Sequence, residues 1–357
     1  MSDATLNVMQ PARLPRVLVS ILNWNGTAKT LACLDSVKNE VAVAPADVTT
    51  LVIDNGSRDE EAAALSAALV ARDVVLKCLP QNLGFTGGHN VAIELAIREG
   101  YDYIWLLNND STVELGTLRE LVAELQAHAR CGAVSPVLRD IHDGHIARCV
   151  NYHDWDKRKT RLILDIEEAR RFQDAHPEEV WVDGTAVLYR VQALKDTGPL
   201  DDRLFAYYDD DDISMRLVKH GWMVRCALNA TVFHENRKEL EEFPLYLVYL
   251  LQRNEMLFLD THTPPAYRRL LRLKLVDKAM YDAVRYREYG RYTYSDAALL
   301  GMWDYLRGRF GPPAHQRKVP LFLRTACMLA QRVYAIKNAN ARKVSRRGLA
   351  PEQHQST

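Results

Sequence analysis

The feature that most constrains this chain is a pair of neighbouring segments, Asn82-Leu83-Gly84-Phe85-Thr86-Gly87-Gly88-His89-Asn90 and Leu106-Leu107-Asn108-Asn109-Asp110. A glycine-rich turn opens a helix, the helix leads into an apolar strand over Tyr103 to Leu107, and the strand ends in a polar trio closed by a carboxylate. In an open α/β sheet, ligands bind beyond the carboxyl ends of the strands. The spacing Asn108-x-Asp110 sets two oxygen-bearing side chains close together in a turn. That arrangement suits a hard divalent cation bridging protein and phosphate oxygens. The first expectation is therefore a sugar-nucleotide site.

The surrounding chain extends the alternation. Arg16 to Asn23, Val48 to Asp54, Val74 to Leu79 and Gly132 to Leu138 read as further strands. Thr27 to Lys38, Asp59 to Ala71, Gly88 to Glu99 and Glu114 to Ala129 read as the helices around them. Strands alternating with helices of this length predict an α/β domain on a doubly wound, mostly parallel sheet. Arg139 to Glu179 is polar and resists the pattern; it reads as an excursion over the active face, with a helix near Asp165 to Asp174. Trp181 to Tyr189 reads as a returning apolar strand and Asp209 to His220 as a helix closed by Gly221. Trp222 to Ala227 and Thr231 to Phe233 read as short strands. Beyond Glu239 the pattern is helical: Phe243 to Leu259, Ala266 to Glu288, Ser295 to Arg307 and Val319 to Ala339. The expected division is a disordered lead-in over 1–15, a nucleotide-sugar-binding and catalytic domain over 16–239, a helical carboxy-terminal region over 240–340, and a disordered tail over 341–357.

Composition narrows the class. With 357 residues, 48% of them hydrophobic, the chain can bury a substantial core. No apolar run approaches the about 18–20 residues of a spanning helix. The polar N-terminus shows no signal peptide, and the six cysteines are scattered without CxxC spacing. Those features argue against a zinc or disulfide framework and fit a reducing cytoplasm. The net charge of zero conceals an asymmetry. Residues 262–357 carry 19 Lys and Arg against 6 Asp and Glu, and the remainder 27 against 40. A basic tail on an acidic body points to an anionic partner: a membrane surface touched peripherally, a phosphorylated acceptor, or a second subunit of a homodimer. Solvated helix faces are the plainer alternative. Nucleic acid is not an expected partner.

Several polar groups gather at one sheet edge. Asn23-Trp24-Asn25-Gly26 follows the first strand, and Asp54-Asn55-Gly56-Ser57 the second. A carboxylate such as Asp54 can accept the imide N–H of uracil or thymine; the alternative is that Asp54 and Asn55 cap the next helix. Gly84, Gly87 and Gly88 lack the spacing of a dinucleotide fingerprint and follow the third strand, which counts against a nicotinamide enzyme. They can let backbone approach a diphosphate at a helix N-terminus, or merely build a tight turn. Asp209-Asp210-Asp211-Asp212 opens a helix behind the apolar Leu204-Phe205-Ala206-Tyr207-Tyr208. Carboxylates so crowded raise one another's pKa, and one of them can act as a general base towards a hydroxyl. The alternative is a solvated acidic first turn. His234 can complete a metal site with Asp110 or be structural.

Taken together, these motifs resemble glycosyltransferase family 2, with its GT-A fold, and the rhamnosyltransferase-like branch within it. The likeness runs from Arg16 to Glu235. It rests on Ile21 to Gly26, Ile53 to Ser57, Asn82 to Asn90, Leu107 to Asp110, Val182-Asp183-Gly184-Thr185, Gly198-Pro199-Leu200-Asp201, Tyr207 to Asp212 with Arg216, Gly221-Trp222 and His234, all in family order. Arg253-Asn254 and Arg307-Gly308-Arg309-Phe310-Gly311 are similar too, though less specific.

The resemblance implies an inverting transferase that uses Mg²⁺ or Mn²⁺. The ion would sit on Asp110 and His234, in a DxD-type motif whose first position is Asn108. Asp210 would be the base, with Asp209 standing where the family has Glu. Donor contacts would come from Asn23, Asn25, Asp54, Asn55, Gly56, Asn82, Gly84, Phe85, Gly88, Asn90, Asn108 and Asn109. Acceptor contacts would come from Asp183, Gly184, Thr185 and Asp212. The implied donor is dTDP-rhamnose, or another dTDP- or UDP-sugar, and the implied acceptor a glycan or lipid-linked glycan in surface polysaccharide synthesis. The enzyme would be cytoplasmic or peripheral at the inner membrane face. A sugar-phosphate nucleotidyltransferase would need an Arg- and Lys-rich triphosphate loop that Asn23 to Gly26 lacks. An inactive scaffold would be expected to have lost one of Asp110, Asp210 and His234.

Overall fold

The computed structural model describes residues 13–157, 159–235 and 243–347. Most of the expected lead-in, the boundary at residue 239 and positions 348–357 of the expected tail lie outside the described residues. The chain divides into two compact units, 1–238 and 239–357.

The first unit opens with β1 (Arg16–Asn23), α1 (Thr27–Val41), β2 (Asp47–Asp54), α2 (Asp59–Leu69), β3 (Val75–Cys78), α3 (Gly84–Arg98) and β4 (Tyr103–Asn108). It continues through β5 (Ser111–Val113), α4 (Thr117–Ala127), β6 (Cys131–Asp140), β7 (Ile146–Arg148), β8 (Val150–Asp154), β9 (Lys159–Ile163), α5 (Ile166–Ala175) and β10 (Val180–Trp181). It closes with β11 (Ala186–Arg190), α6 (Val191–Thr197), α7 (Asp209–Lys219) and β12 (Met223–His234).

The main sheet runs β3-β2-β1-β4-β11-β6-β12-β5, with β7 paired to β6. The first four strands are parallel. β11 then enters antiparallel between β4 and β6, and β12 runs parallel to β6, so the far half is mixed. Both faces of the sheet are covered, which explains the near-continuous apolar strands. Val17, Val19, Ile21, Trp105 and Leu107 point to the layer holding α1, α2 and α4. Leu18, Ile104 and Leu106 point to the layer holding α3, α6 and α7. From β1 the chain builds β2 and β3 on one side, then returns to add β4 on the other. The carboxyl ends of β1 and β4 therefore flank a topological switch point, where an open sheet leaves a crevice.

Local differences from the sequence reading have physical causes. α3 begins at Gly84, a turn earlier than expected, so Gly87 and Gly88 are helical. A Cβ on Gly88 would lie 2.5 Å from Leu22 Cδ1. Gly88 thus serves close packing of α3 on β1. The apolar run Trp181 to Tyr189 is broken at Val182–Thr185 into β10 and β11. The polar excursion forms a second, antiparallel sheet in the order β10-β8-β9, and α5 covers it with Asp165 capping the Glu168 N–H at 2.8 Å. The two short strands after Trp222 are one strand, β12, with a register irregularity between Ala227 and Thr231.

The second unit holds α8 (Leu245–His262), a 3₁₀ turn at Pro265–Tyr267, α9 (Leu271–Glu288), α10 (Tyr292–Leu306) and α11 (Leu321–Arg347). Buried Arg253 of α8 donates from Nη1 to Gly311 O at 2.7 Å, and its guanidinium lies 5.8 Å from the Phe310 ring. The two motifs singled out in this region therefore meet. α11 continues beyond Ala341, where the sequence alone reads as a tail.

Candidate active site

The carboxyl ends of β2, β1 and β4 bring the first group together. Asn23 pairs in register with Asp54, and Leu22 with Asn108, so the three polar strand ends stand side by side. Asp54 is buried; its Oδ1 accepts the Asn23 amide at 2.8 Å and the Ser57 hydroxyl at 2.5 Å. Its Oδ2 receives a longer bond, 3.3 Å, from the Ser57 N–H. Asn23 Oδ1 accepts from Thr30 at 2.8 Å, and Thr30 Oγ1 accepts from the Asn109 amide at 2.9 Å. Asn25 holds a left-handed backbone, with φ of 50°, and its Oδ1 accepts the Arg58 N–H. The loops after β1, β2 and β4 are thereby tied into one polar floor.

The Asn82–Gly84 turn is tied to the same floor. Asn55 donates to Asn82 Oδ1 at 3.1 Å and to Gly84 O at 2.9 Å, and accepts the Leu83 N–H at 3.0 Å. The N–H of Gly84 donates to Asn82 Oδ1 and that of Thr86 to Phe205 O. Several amides at the start of α3 are thus already spent on protein acceptors. Gly56 and Gly84 have φ of 69° and 78°, and added Cβ atoms would lie 2.4 Å from the Gln81 backbone and 2.3 Å from Phe205 O. Gly84→Ala should therefore lower stability by about 1–3 kcal/mol, measured as the denaturant midpoint. An unchanged midpoint would mean that the turn relaxes freely. The Phe85 ring meets His89 edge-on. Asn90 spends its amide on Leu200 O and Asp202 and its carbonyl on the Leu200 N–H. It braces the Gly198–Asp201 turn from beneath.

At the end of β12, His234 Nε2 lies 3.1 Å from Asp110 Oδ1. Two ligands on neighbouring positions of one ion, at bonds of about 2.1 Å, stand about 3 Å apart. The pair fits a small divalent cation. Lys29 Nζ lies 3.6 Å from Asp110 Oδ2 and 3.5 Å from Glu235, on an exposed stem. Burial pushes the Asp110 carboxyl up, but the His234 hydrogen bond and charge, with Lys29, outweigh it and leave it below the usual carboxylate range. Burial pushes His234 down, yet Asp110, helped by Asp183, raises it above its ordinary value.

The break between β10 and β11 joins this corner to α7. Thr185 O accepts the Asn108 N–H at 2.9 Å. Asp183 Oδ1 accepts both the N–H and the hydroxyl of Thr185, and its other oxygen lies 3.6 Å from Arg148 Nε. Gly184 N–H donates to Asp210 Oδ2 at 2.9 Å. One four-residue loop thus tethers the strand end carrying Asp110 to the acidic start of α7. Asp212 is held by Arg216 at 2.8 Å, and Arg216 also donates to Thr197 O and Pro199 O. Asp212 therefore anchors α7 to the same turn that Asn90 braces.

Burial first, and then neighbouring charge, drives the other three aspartates upward. Asp209 is held well above the usual range by burial and by Asp210, and Asp210 by burial, Asp211 and Asp183. Asp211 is pushed up to about 7. Sequence gave no sign of its neighbour: His153 of β8 has Nε2 3.0 Å from Asp211 Oδ1, off the hydrogen-bond line, and burial depresses His153 to about 4. In the folded chain Asp211 keeps its proton to near neutrality, whereas unfolded it ionises near about 3.9. Folding then favours the protonated form, and stability falls as pH rises from about 4 through 7. Asp211→Asn cannot ionise and should shrink the loss of Tm between about pH 5 and about pH 8 by several degrees. Calorimetry at the two pH values checks this; an unchanged difference would mean that Asp211 ionises without cost.

A sequence model of Glycosyltransferase like family 2 matches residues 15–244. Over 241 residues the chain is 26% identical to N-acetylglucosaminyl-diphospho-decaprenol L-rhamnosyltransferase of Mycobacterium tuberculosis, strains CDC 1551 / Oshkosh and ATCC 25618 / H37Rv, covering 60% of this chain and 76% of that one. In fold it is similar to mannosyltransferase PcManGT from Pyrobaculum calidifontis, solved with GDP-Man and Mn²⁺, at 16% identity and a TM-score of 0.51 over 92% of this chain and 86% of that one. GalNAc-T7, solved with UDP, GalNAc and Mn²⁺, gives 16% identity and a TM-score of 0.52 over 74% and 54%. S. aureus TarS gives 11% and 0.53 over 86% and 50%. The motifs read from the sequence, the architecture and these likenesses agree: the chain belongs to glycosyltransferase like family 2 and is a glycosyltransferase of GT-A fold.

Proposed function

We propose that this enzyme moves a sugar, in our reading L-rhamnose, from a dTDP- or UDP-sugar to a hydroxyl of a lipid-linked glycan, inverting the anomeric centre. The observation that carries the reading is the Val182–Thr185 loop. It places a basic carboxylate, Asp210, on one side of a short tether and the Asn108–Asp110 strand end on the other. The rhamnosyl donor and the lipid-diphosphate acceptor are drawn from the named activity of the mycobacterial relative.

Asp54 reads the base. Its Oδ1 is saturated by Asn23 and Ser57, and its Oδ2 keeps a lone pair for a pyrimidine imide N–H. From Asp54 to Asn108 is two strand spacings, about 10 Å, over which ribose and diphosphate extend towards Asp110. Asn23, Asn25, Asn55, Asn82 and Asn109 hold that floor rigid, and Asn108 lies at its open end. A Mg²⁺ or Mn²⁺ held by Asp110 and His234 would supply positive charge against the leaving diphosphate. Asp210 takes the proton of the acceptor hydroxyl while that oxygen attacks C1 and the C1–O bond to the diphosphate breaks on the opposite face. Two backbone N–H groups, from Gly184 and Asp211, aim its oxygens. Its elevated basicity suits proton abstraction near neutral pH. Asp183 and Thr185 line the acceptor side.

Thermal shift with dTDP, UDP, GDP, dTDP-rhamnose and UDP-glucose, with and without Mn²⁺, tests the donor half. We expect metal-dependent stabilisation by dTDP or UDP compounds. Stabilisation by GDP alone would overturn the pyrimidine reading, and none by any nucleotide would favour a non-catalytic scaffold.

A further inference from the structure

We infer that α11 is a docking helix for an anionic phospholipid surface, which it meets lengthwise through its outward face. Two independent observations converge on this helix.

The first is its second apolar face. Leu323 and Cys327 are buried, and Tyr334 Oη donates to Asp277 at 2.8 Å, so one side of α11 packs on α9. A helix at the edge of a unit ordinarily turns charged and polar residues outward. Here Leu321, Met328, Leu329, Val333 and Ile336 lie outward instead, each 44 to 77% exposed, and Phe322 beside them keeps 56% exposure while its ring edge meets Trp303 of α10. They follow one another at helical spacing, as a stripe rather than as scattered single residues. Leu273, one turn before Asp277 on α9, is exposed as well.

The second is the charge. From Leu321 to Arg347 the helix carries seven Lys and Arg and no Asp or Glu. Arg332 borders the apolar stripe, Arg324 beside it is paired with Asp296 of α10, and five more cations follow between 337 and 347 along the same helix. Aliphatic side chains among cations match a surface with an oily interior and an anionic skin. Nucleic acid would reward the cations but leave Leu329, Val333 and Ile336 without a role, since such interfaces are polar. A second copy meeting α11 face to face would oppose one basic helix with another. Among the described residues no helix is long and apolar enough to cross a membrane, so contact would be along the surface.

The test uses the full chain with sedimenting vesicles of phosphatidylcholine alone and of phosphatidylcholine with phosphatidylglycerol, at low and high salt. We expect binding to the anionic vesicles at low salt, and at least about tenfold weaker binding to neutral vesicles or at high salt. Leu329→Glu with Val333→Glu should weaken it by at least about tenfold while donor-sugar hydrolysis is unchanged. Because both positions are exposed, folding should survive; Leu329→Gln with Val333→Gln is the milder pair should it not. Failure of the parent chain to bind anionic vesicles would overturn the inference, as would equal binding by the doubly substituted chain. A dimer in light scattering that the substitutions dissolve, without vesicle binding, would also overturn it and make a second copy the occupant.

Discussion

Asp210→Asn should lower kcat by about 10²–10⁴-fold, the range carried by a positioned general base, and leave the affinity for the nucleotide donor within a small factor. The amide keeps the shape of the carboxylate and can still accept the Gly184 N–H. It cannot hold the proton of an acceptor hydroxyl. The measurement is kcat for sugar transfer beside donor affinity by calorimetry on the same preparation. Retained transfer would move the base to Asp209, which is buried next to it and has its pKa raised by burial and by Asp210. Loss of both transfer and donor binding would assign Asp210 to the architecture of α7. The two aspartates share neighbours, so the Asp209→Asn and Asp210→Asn effects should not add.

Asp110→Ala should cost a comparable factor in kcat, about 10²–10⁴, through a different loss: positive charge at the leaving diphosphate. Its signature is separable. Mn²⁺ should no longer increase the thermal stabilisation given by dTDP or UDP, while the weaker, metal-free stabilisation persists. His234→Ala should weaken the response to Mn²⁺ less severely, because it would leave Asp110, the anionic member of the proposed pair, in place. An Asp110→Ala protein that still responds fully to Mn²⁺ would place the ion elsewhere. Transfer at parental rates would remove Asp110 from the reaction altogether.

The strands of the parallel half were legible because covering both faces of a sheet forces long apolar runs, and β1 and β4 are such runs. Their polar ends were legible for the complementary reason. A carboxylate directly after a buried strand, as at Asp54 and near Asp110, needs an account that a loop residue does not. The direction of β11 was not legible, since Ala186–Arg190 has the same local pattern whichever way it runs. The second sheet escaped notice because β8 and β9 are short and largely polar, and β10 has only two residues. Among the candidate site residues, sequence marked asparagines without telling whether their amides face a ligand or the protein. Asn23, Asn55 and Asn90 all direct theirs to partners far along the chain. Lys29 beside Asp110 and His153 beside Asp211 were invisible for the same reason: each contact is made by tertiary structure alone.

Phe205, Tyr207 and Tyr208 all hold a left-handed backbone immediately ahead of α7, and Phe205 leans on Gly84 with its carbonyl on the Thr86 N–H. A bulky residue stays in that conformation only while its surroundings enforce it. The turn proposed to meet the donor is thereby packed against the segment that leads into the helix carrying Asp210. In kinetic terms the proposed function then predicts a sequence of events. On the proposed roles, a seated sugar nucleotide would steady this turn before an acceptor hydroxyl met Asp210. Initial-rate patterns should accordingly be ordered, with a dead-end acceptor analogue inhibiting uncompetitively against the donor; a noncompetitive pattern would mean that either substrate can enter first. An enzyme with this order of binding would guard its activated sugar from water by timing as well as by shape.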